Sequence, residues 1–322
     1  MSDNNLKKSE ILFLYESKYS EPNGDPYTGE QRYDEETKKI LVSDVRIKRF
    51  IRNYLDDKGF EIFLKPAKTE ETKPNTTDAA KKVSESGAAK RLQELKSNPK
   101  YKDNDTKTIF QKCIDVRLFG GIDTTIGSNL HLTGPVQFAL LNPSLNSQNL
   151  RPHQNTSHFV SRTENKQGAI ATKSIVPYGL NQIHGWLNPL SAKETKLTVA
   201  DVETMFSALW HSINNANTRT KCNQDSLLLL QIVYKDENRK LYGLDRLIQL
   251  TTKDGKSEEQ LRSLDDCSLD LSKLIEKVEE SDFIESVNFY TENNDLNTQI
   301  KELKESKFKE MKLKEITQQS VN

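Results

Sequence analysis

Four cations crowd one short amphipathic stretch. In LVSDVRIKRFIRNYL (41–55), Arg46, Lys48, Arg49, Arg52 and Asn53 share one half of a helical projection, and Ile47, Phe50, Ile51, Tyr54 and Leu55 share the other. Asp44 is the one acid inside this helix before Asp56, so the spacing leaves the cations without the usual partners one turn away. The chemistry such a face can do is non-covalent: clustered cations suit the phosphates of a nucleic-acid backbone. A solvated face balanced by acids elsewhere has the same pattern, and the pattern leaves both readings open.

Other residues with chemical potential are dispersed. The histidines (131, 153, 158, 184 and 211) form no HExxH, and His153 and His158 stand five apart in a polar loop without a carboxylate beside them. There is no GxSxG and no GxxxxGK[ST]. Asp25, Asp34, Asp44, Asp115 and Asp123 have no spacing that demands a metal. Cys113, Cys222 and Cys267 fit neither a disulfide framework nor a zinc site. No catalytic residue, metal or cofactor is therefore expected. Two groups remain as binding candidates. Gly120, Gly121 and Gly127 flank a polar loop and permit either tight turns or close approach of a ligand. Phe159, Ile170 and Tyr178 stand near Arg162 and Lys173, a mixture that can wedge bases while cations meet phosphate, or simply fold inward.

The elements that must position these groups follow from local pattern. ILFLYE ahead of Ser17 predicts a strand, and PNGDP predicts a sharp turn with positive φ at Gly24. Val42 and Ile47 are placed as a hydrophobic staple around a helix start at Ser43. Residues 66–108 are polar and read as a partly mobile insertion, helical near 78–96. Strands are predicted at 112–119 and 133–140, then an unusually long polar stretch at 142–174, either an extended hairpin or a functional loop. A helix at 199–215, a central strand at 226–234, strands near 242–250 and 284–290 around a helix at 270–280, and a terminal helix at 295–317 complete the order. This suits a decorated α+β sheet of the ferredoxin-like kind.

The totals permit one sizeable core with insertions in 322 residues of zero formal net charge. From residue 236 onward 14 Lys/Arg face 20 Asp/Glu, so the end of the chain is acidic and the rest mildly basic. No apolar run is long enough to span a membrane, and MSDNNLKKSE lacks a secretory core, so a cytoplasmic location is expected.

Taken in order, PNGDP (22–26), LVSDVRIKRFIRNYL (41–55), DVRLFGG (115–121), TGPVQF (133–138), SRT (161–163) and VPYGLNQIHGW (176–186) resemble the repeated backbone subunit of CRISPR Cascade complexes of the type I-B kind, over roughly residues 9–290. The resemblance implies a modified RNA-recognition-motif palm with finger, web and thumb insertions. The palm would begin at 9–65 with the basic helix. A polar finger or web insertion would follow at 66–108, then palm strands and a Gly-rich loop at 109–141. A thumb-like insertion at 142–175, the rest of the palm with a helical insertion at 176–290, and a helical tail at 291–322 would complete it.

It further implies a non-catalytic subunit stacked in several copies along a CRISPR guide RNA, which pairs with one strand of target DNA. Neighbouring thumbs would displace guide bases at intervals. Partners would be the large subunit, the guide-end-capping subunit, the guide-processing endonuclease and a recruited helicase-nuclease. Lys48, Arg49 and Arg52, with Arg46 nearby, would hold guide phosphates, supported by Asn23 and Gly24 of the turn. Gly120 and Gly121 would let backbone approach RNA. Arg162 and Lys173 would add charge, and Phe159 and Ile170 would be base-wedging candidates of the thumb. The family's basic Gly-Arg-Lys before VPYG is replaced here by Ala171, Thr172, Lys173 and Ser174, which keeps one charge and no arginine. Related type III subunits cut target RNA with a loop aspartate; the type I members that this sequence resembles do not.

Overall fold

In the computed structural model, residues 6–65, 87–125, 127–156, 170–302 and 307–317 are described. A large mixed, mainly antiparallel sheet organises them. β1 (Ser9–Ser20) pairs on one side with β10 (Gln224–Tyr234) and on the other with β9 (Ile170–Leu187), both antiparallel. β6 (Val136–Phe138), β7 (Leu141–Ser147) and β8 (Arg151–Thr156) all pair with the long β9. β3 (Lys39–Ser43) and β2 (Tyr33–Asp34) extend the β7 edge, and β13 (Ile284–Tyr290) and β14 (Phe308–Glu310) extend the β10 edge.

Helix α1 (Asp44–Asp57) follows β3, and helix α6 (Val199–Asn214) connects β9 to β10. The two pack together on one face of the sheet. β1 alternates to meet them: Ile11, Phe13 and Tyr15 join Ile47, Ile51, Leu55, Met205, Leu209 and Trp210 in one core. Each such side chain contributes about 1.5–3 kcal/mol when fully removed from water. The alternate residues Leu12 and Leu14 point to the opposite face. There they are covered, with Leu228, Leu230, Tyr178 and Tyr234, by Leu244, Leu261, Leu269, Leu274 and Leu296. Both faces of the sheet are therefore covered along β1. The cover is built from the hairpin β11 (Gln249–Thr252) and β12 (Cys267–Asp270) with α7 (Ser272–Glu280) and α8 (Asn294–Lys301). The result is a mixed α+β fold with a central sheet, consistent with a ferredoxin-like core.

A third, smaller core serves the polar insertion. α2 (Gly87–Ser97) buries Leu92 and Leu95 against Phe63, Tyr101, Ile109 and Phe110, the last two on α3 (Thr106–Lys112). Of the helix expected near 78–96, the part from 87 is helical in α2, and 66–86 lie outside the described residues.

Four expectations are corrected. The strand predicted at 112–119 is helical: α4 (Ile114–Phe119) follows α3 after Cys113. Its Ile114, Val116 and Leu118 alternate like a strand, but Asp115 between them is also fully buried, so the two-residue period did not mark an inside and an outside. The strand expected near 242–250 is a single 3₁₀ turn, Leu244–Arg246, followed by β11. The terminal helix expected over 295–317 ends at Lys301. Further on, Phe308 enters a parallel pairing with Val287 while the Lys307 amine donates to the carbonyls of Val278, Glu279 and Ser281 beyond the end of α7. Finally, the positive φ of the 21–29 turn falls on Gly29 (+72°), not on Gly24. The long stretch after residue 141 resolves to strands, with β8 and β9 forming an antiparallel hairpin; its tip, 157–169, lies outside the described residues.

Candidate nucleic-acid interface

Asn23 builds the start of α1. Its Oδ1 accepts from both the backbone N and the Oγ of Ser43, each at 2.7 Å, so Ser43 caps the helix with its hydroxyl turned away to Asn23. Asn23 is itself buried, and its backbone N donates to Gln31 Oε1 at 2.8 Å. It positions the helix. Gly24 makes room for a carboxylate: a Cβ there would lie 1.6 Å from Glu21 Oε1.

The basic face of α1 divides in two. Lys48 is only 9% exposed and its Nζ donates to Asp44 Oδ2 at 3.2 Å, one turn back, and to Gln137 Oε1 at 3.0 Å. Arg52 donates to Asp115, which also accepts from the backbone N of Phe63 (2.8 Å) and Leu64 (3.0 Å). Both cations sit near the Phe119 ring. The expectation that these cations lack acid partners is thus corrected for Lys48 and Arg52. Asp44 reaches Lys48 within the helix, and Asp115 arrives from α4, far away in the chain.

Arg46 and Arg49 differ. Neither makes an ion pair or a hydrogen bond among the described residues. The Arg46 guanidinium stacks 3.8 Å from the centroid of Phe50, its Nε buried and without a partner. Burial pulls its pKa down to about 10, partly offset by the Tyr15 and Glu21 oxygens beside it. Arg49, half-buried, is also pulled below the usual guanidinium range, by burial and by repulsion from Arg52. Both arginines stand outside any ion pair among the described residues, with Glu21 near Arg46 and Asp56 near Arg49, and partly buried cations so placed attract an anion.

Further cations gather beyond Arg46. Lys173 on β9 lies 3.4 Å from Glu21 Oε2 and donates to the Gly29 carbonyl at 3.2 Å. The Lys221 amine donates to the Glu21 carbonyl; burial and the charges of Arg46 and Lys173 bring its pKa down to about 8. The order of residues held no signal for Lys221 or for Arg219 next to it, because the 217–223 turn meets the end of β1 only through the sheet, where Glu21 N donates to Thr220 O at 2.8 Å.

The glycines of DVRLFGG are packed against protein. Gly120 has φ +81°, and a Cβ there would lie 2.3 Å from Leu132 O; one on Gly134 would lie 2.1 Å from Phe119 C. There β4 (Gly120–Ile122) pairs antiparallel with β5 (His131–Thr133), Gly120 opposite Thr133. Gly121 would meet Val116 and Phe110 at 3.3–3.5 Å. Arg117 of the same motif clasps Asp201 through Nε (3.0 Å) and Nη2 (2.6 Å), the residue that closes the capping box of α6 with Thr198. Phe159 and Arg162 lie outside the described residues, and of Ile170 the backbone alone is placed, opposite Thr156.

A groove of about 680 Å³ lies apart, between α6, the β10–β13 edge and residues 311–314. Two ion pairs line it, Lys7 with Glu285 and Lys314 with Glu203, and Lys312 adds a further charge. Among the described residues no three His, Cys, Asp or Glu side chains are grouped to hold a metal ion, and no helix is long and apolar enough to cross a membrane.

Fold and site together define a class: a mixed α+β protein whose central sheet carries a helix with two unpaired arginines beside a lysine cluster. The model for the family described as CRISPR-associated protein Cas7 matches residues 7–272, and the chain belongs to that family. It is similar to the CRISPR-associated protein Cas7 of Haloferax volcanii, 29% identical over 297 residues, which cover 85% of this chain and 83% of that protein. It is also similar to chains of two solved structures, one described as a CRISPR RNA-guided surveillance complex and the other as a CRISPR RNA-guided surveillance complex, pre-nicking. The TM-score is 0.49 for both, at 15% and 14% identity, covering 89% of this chain and 90% and 93% of those chains.

Proposed function

We propose that this chain is a non-catalytic subunit that binds the guide RNA backbone, in several copies, within a type I Cascade surveillance complex, and presents the guide for pairing with a target DNA strand. The observation that carries the reading is the Arg46–Arg49 pair on α1, partly buried, outside any ion pair among the described residues, and near Lys173 and Lys221. Such cations contact phosphate irrespective of sequence, which suits a protein that leaves target recognition to base pairing.

The strand order β10-β1-β9-β6, with α1 between β1 and β6 and α6 between β9 and β10, supports a ferredoxin-like or RNA-recognition-motif palm. An ordinary palm of that kind stacks bases on exposed sheet aromatics. Here Tyr178 and Tyr234 on the corresponding face are buried. The RNA is therefore assigned to the α1 side and the adjoining end of β1, not to the sheet face. The thumb is proposed at 142–175, where β8 pairs with the first part of β9, with 87–108 part of the finger or web, and Asn23, Gly24, Gly120 and Gly121 the frame that shapes the site. The other complex subunits and the recruited helicase-nuclease are proposed partners on the same reading.

The second reading, metal-dependent cleavage of target RNA by a loop aspartate, has less support. Asp34 accepts from Glu36 N and Thr37 Oγ1, and Asp123 from Thr125 N, each within its own turn.

The test is to purify the natural complex and analyse its nucleic acid. A discrete RNA of tens of nucleotides with several copies of this chain is expected. An oligomer with an absorbance ratio of protein alone would sink the proposal. Cleavage of bound RNA at regular intervals with magnesium or manganese would favour the second reading.

A further inference from the structure

Beside the Lys173–Glu21 pair lies a cavity of about 250 Å³, lined among others by Tyr19, Ser20, Glu21, Lys173, Arg219 and Thr220. Three elements meet there: the end of β1, the β8–β9 hairpin and the 217–223 turn. Its charge is lopsided. Glu21 is the one carboxylate among these lining residues, and it faces Lys173 and, nearby, Lys221 and Arg46. Arg219 stands exposed at the rim, its side chain in no ion pair or hydrogen bond among the described residues. The Ser20 hydroxyl is buried without a hydrogen-bond partner.

The second observation is the backbone of Tyr19. β1 pairs with β9 through Lys18 opposite Tyr178 and through Ser20 opposite Val176, and Tyr19 between them has φ +45°. Left-handed backbone disfavours a bulky side chain, and such outliers cluster at ligand sites. The conformation sends an aromatic ring out of the strand at the cavity rim, where it is 61% exposed. Nothing in the core uses that ring.

We propose that this cavity is a nucleotide subsite for the bound RNA, in which Lys173, Arg219 and the Ser20 hydroxyl hold a phosphodiester, Lys221 adds charge from beside the cavity, and the Tyr19 ring stacks on the adjoining base. The proposal rests on the reading of the chain as an RNA-binding subunit and adds a base platform and a second phosphate seat to the α1 grip. A phosphodiester entering the cavity displaces the Glu21 carboxylate from Lys173. Stacking is tolerant of base identity, since every base offers a π-face.

The experiment uses the full chain and a fluorescently labelled single-stranded RNA, with affinity measured by anisotropy across a salt series. Tyr19→Gly accepts the positive φ, so its melting temperature should equal or exceed that of the unmodified chain while affinity falls about tenfold. Tyr19→Trp should keep the affinity. Arg219→Ala with Lys221→Met should reduce the slope of log affinity against log salt by about 0.7, the one phosphate that the cavity seats on a single strand. If Tyr19→Gly binds as tightly as the unmodified chain but the salt slope still falls, the cavity seats a bare phosphate and the nucleotide proposal is overturned. If both variants bind unchanged while Arg49→Ala weakens binding, the subsite is refuted and the α1 grip stands. If Arg49→Ala is neutral as well, the RNA-binding reading itself fails.

Discussion

Arg52 donates through Nε to Oδ2 of Asp115 at 3.0 Å, joining the basic helix to the start of DVRLFGG. Asp115 is fully buried and takes two backbone N–H groups from Phe63 and Leu64 besides. A cation placed on the basic face is thus a structural strut, and the face does two jobs.

Removing one partner of that buried pair strands the other. Asp115→Ala should cost about 3–5 kcal/mol, since it orphans the Arg52 charge and two amides. Arg52→Ala should cost a similar amount. Chemical denaturation of each variant gives the figure; a loss under about 1 kcal/mol for Asp115→Ala would show that the strut carries no weight.

Arg46 and Arg49 should separate from Lys48 and Arg52 in function. Arg49→Ala should leave the denaturation midpoint nearly unchanged and reduce the RNA salt slope by about 0.7. Lys48→Ala and Arg52→Ala should move stability first, with RNA affinity following the folded fraction. Equal RNA losses for all four at full folding would contradict this division.

Gly120→Ala should prevent soluble folding. The added Cβ would sit 2.3 Å from the Leu132 carbonyl, with φ at +81°. Backbone cannot yield there as a flexible side chain can. Gly127→Ala is the control: its φ is +85° too, but open space surrounds it, so it should fold with a cost of about 1–2 kcal/mol. Similar yields of the two variants would remove the packing argument.

Lys221 predicts a pH dependence. Its pKa is lowered from an ordinary 10.5 to about 8 by burial and by Arg46 and Lys173, against the attraction of Glu21. The folded chain therefore holds fewer protons than the unfolded chain between about pH 8 and 10.5, and this group's contribution to stability rises with pH across that window. RNA acts oppositely. A bound phosphate favours charged Lys221, so affinity should fall as pH climbs through about 8. Lys221→Arg stays charged and should flatten that fall. Identical profiles from pH 7 to 9 for both chains would exclude Lys221 from the site.

Local pattern determined a good deal by itself. α1, α6, β1, β10 and β13 each bury an amphipathic or continuous apolar run, and these were legible because burial follows period within one element. The short helix α4 was not, since six residues with every side but one buried display no period. Nor was the end of the chain, where β14 exists because Phe308 finds Phe289 at a ring distance of 6.4 Å.

The four cations of α1 were visible as residues, and the sequence alone placed them on one face. Which of them are free to meet an anion was decided by the tertiary structure, because an ion pair depends on distance in space. Asp115 reaches Arg52 from 63 positions away, whereas Arg49 forms no ion pair among the described residues and feels Asp56 only from a distance. Lys221 and Tyr19 join the site for the same reason: β1 brings the 217–223 turn and the β8–β9 hairpin to its end, and a strand's neighbours are set by pairing across the sheet.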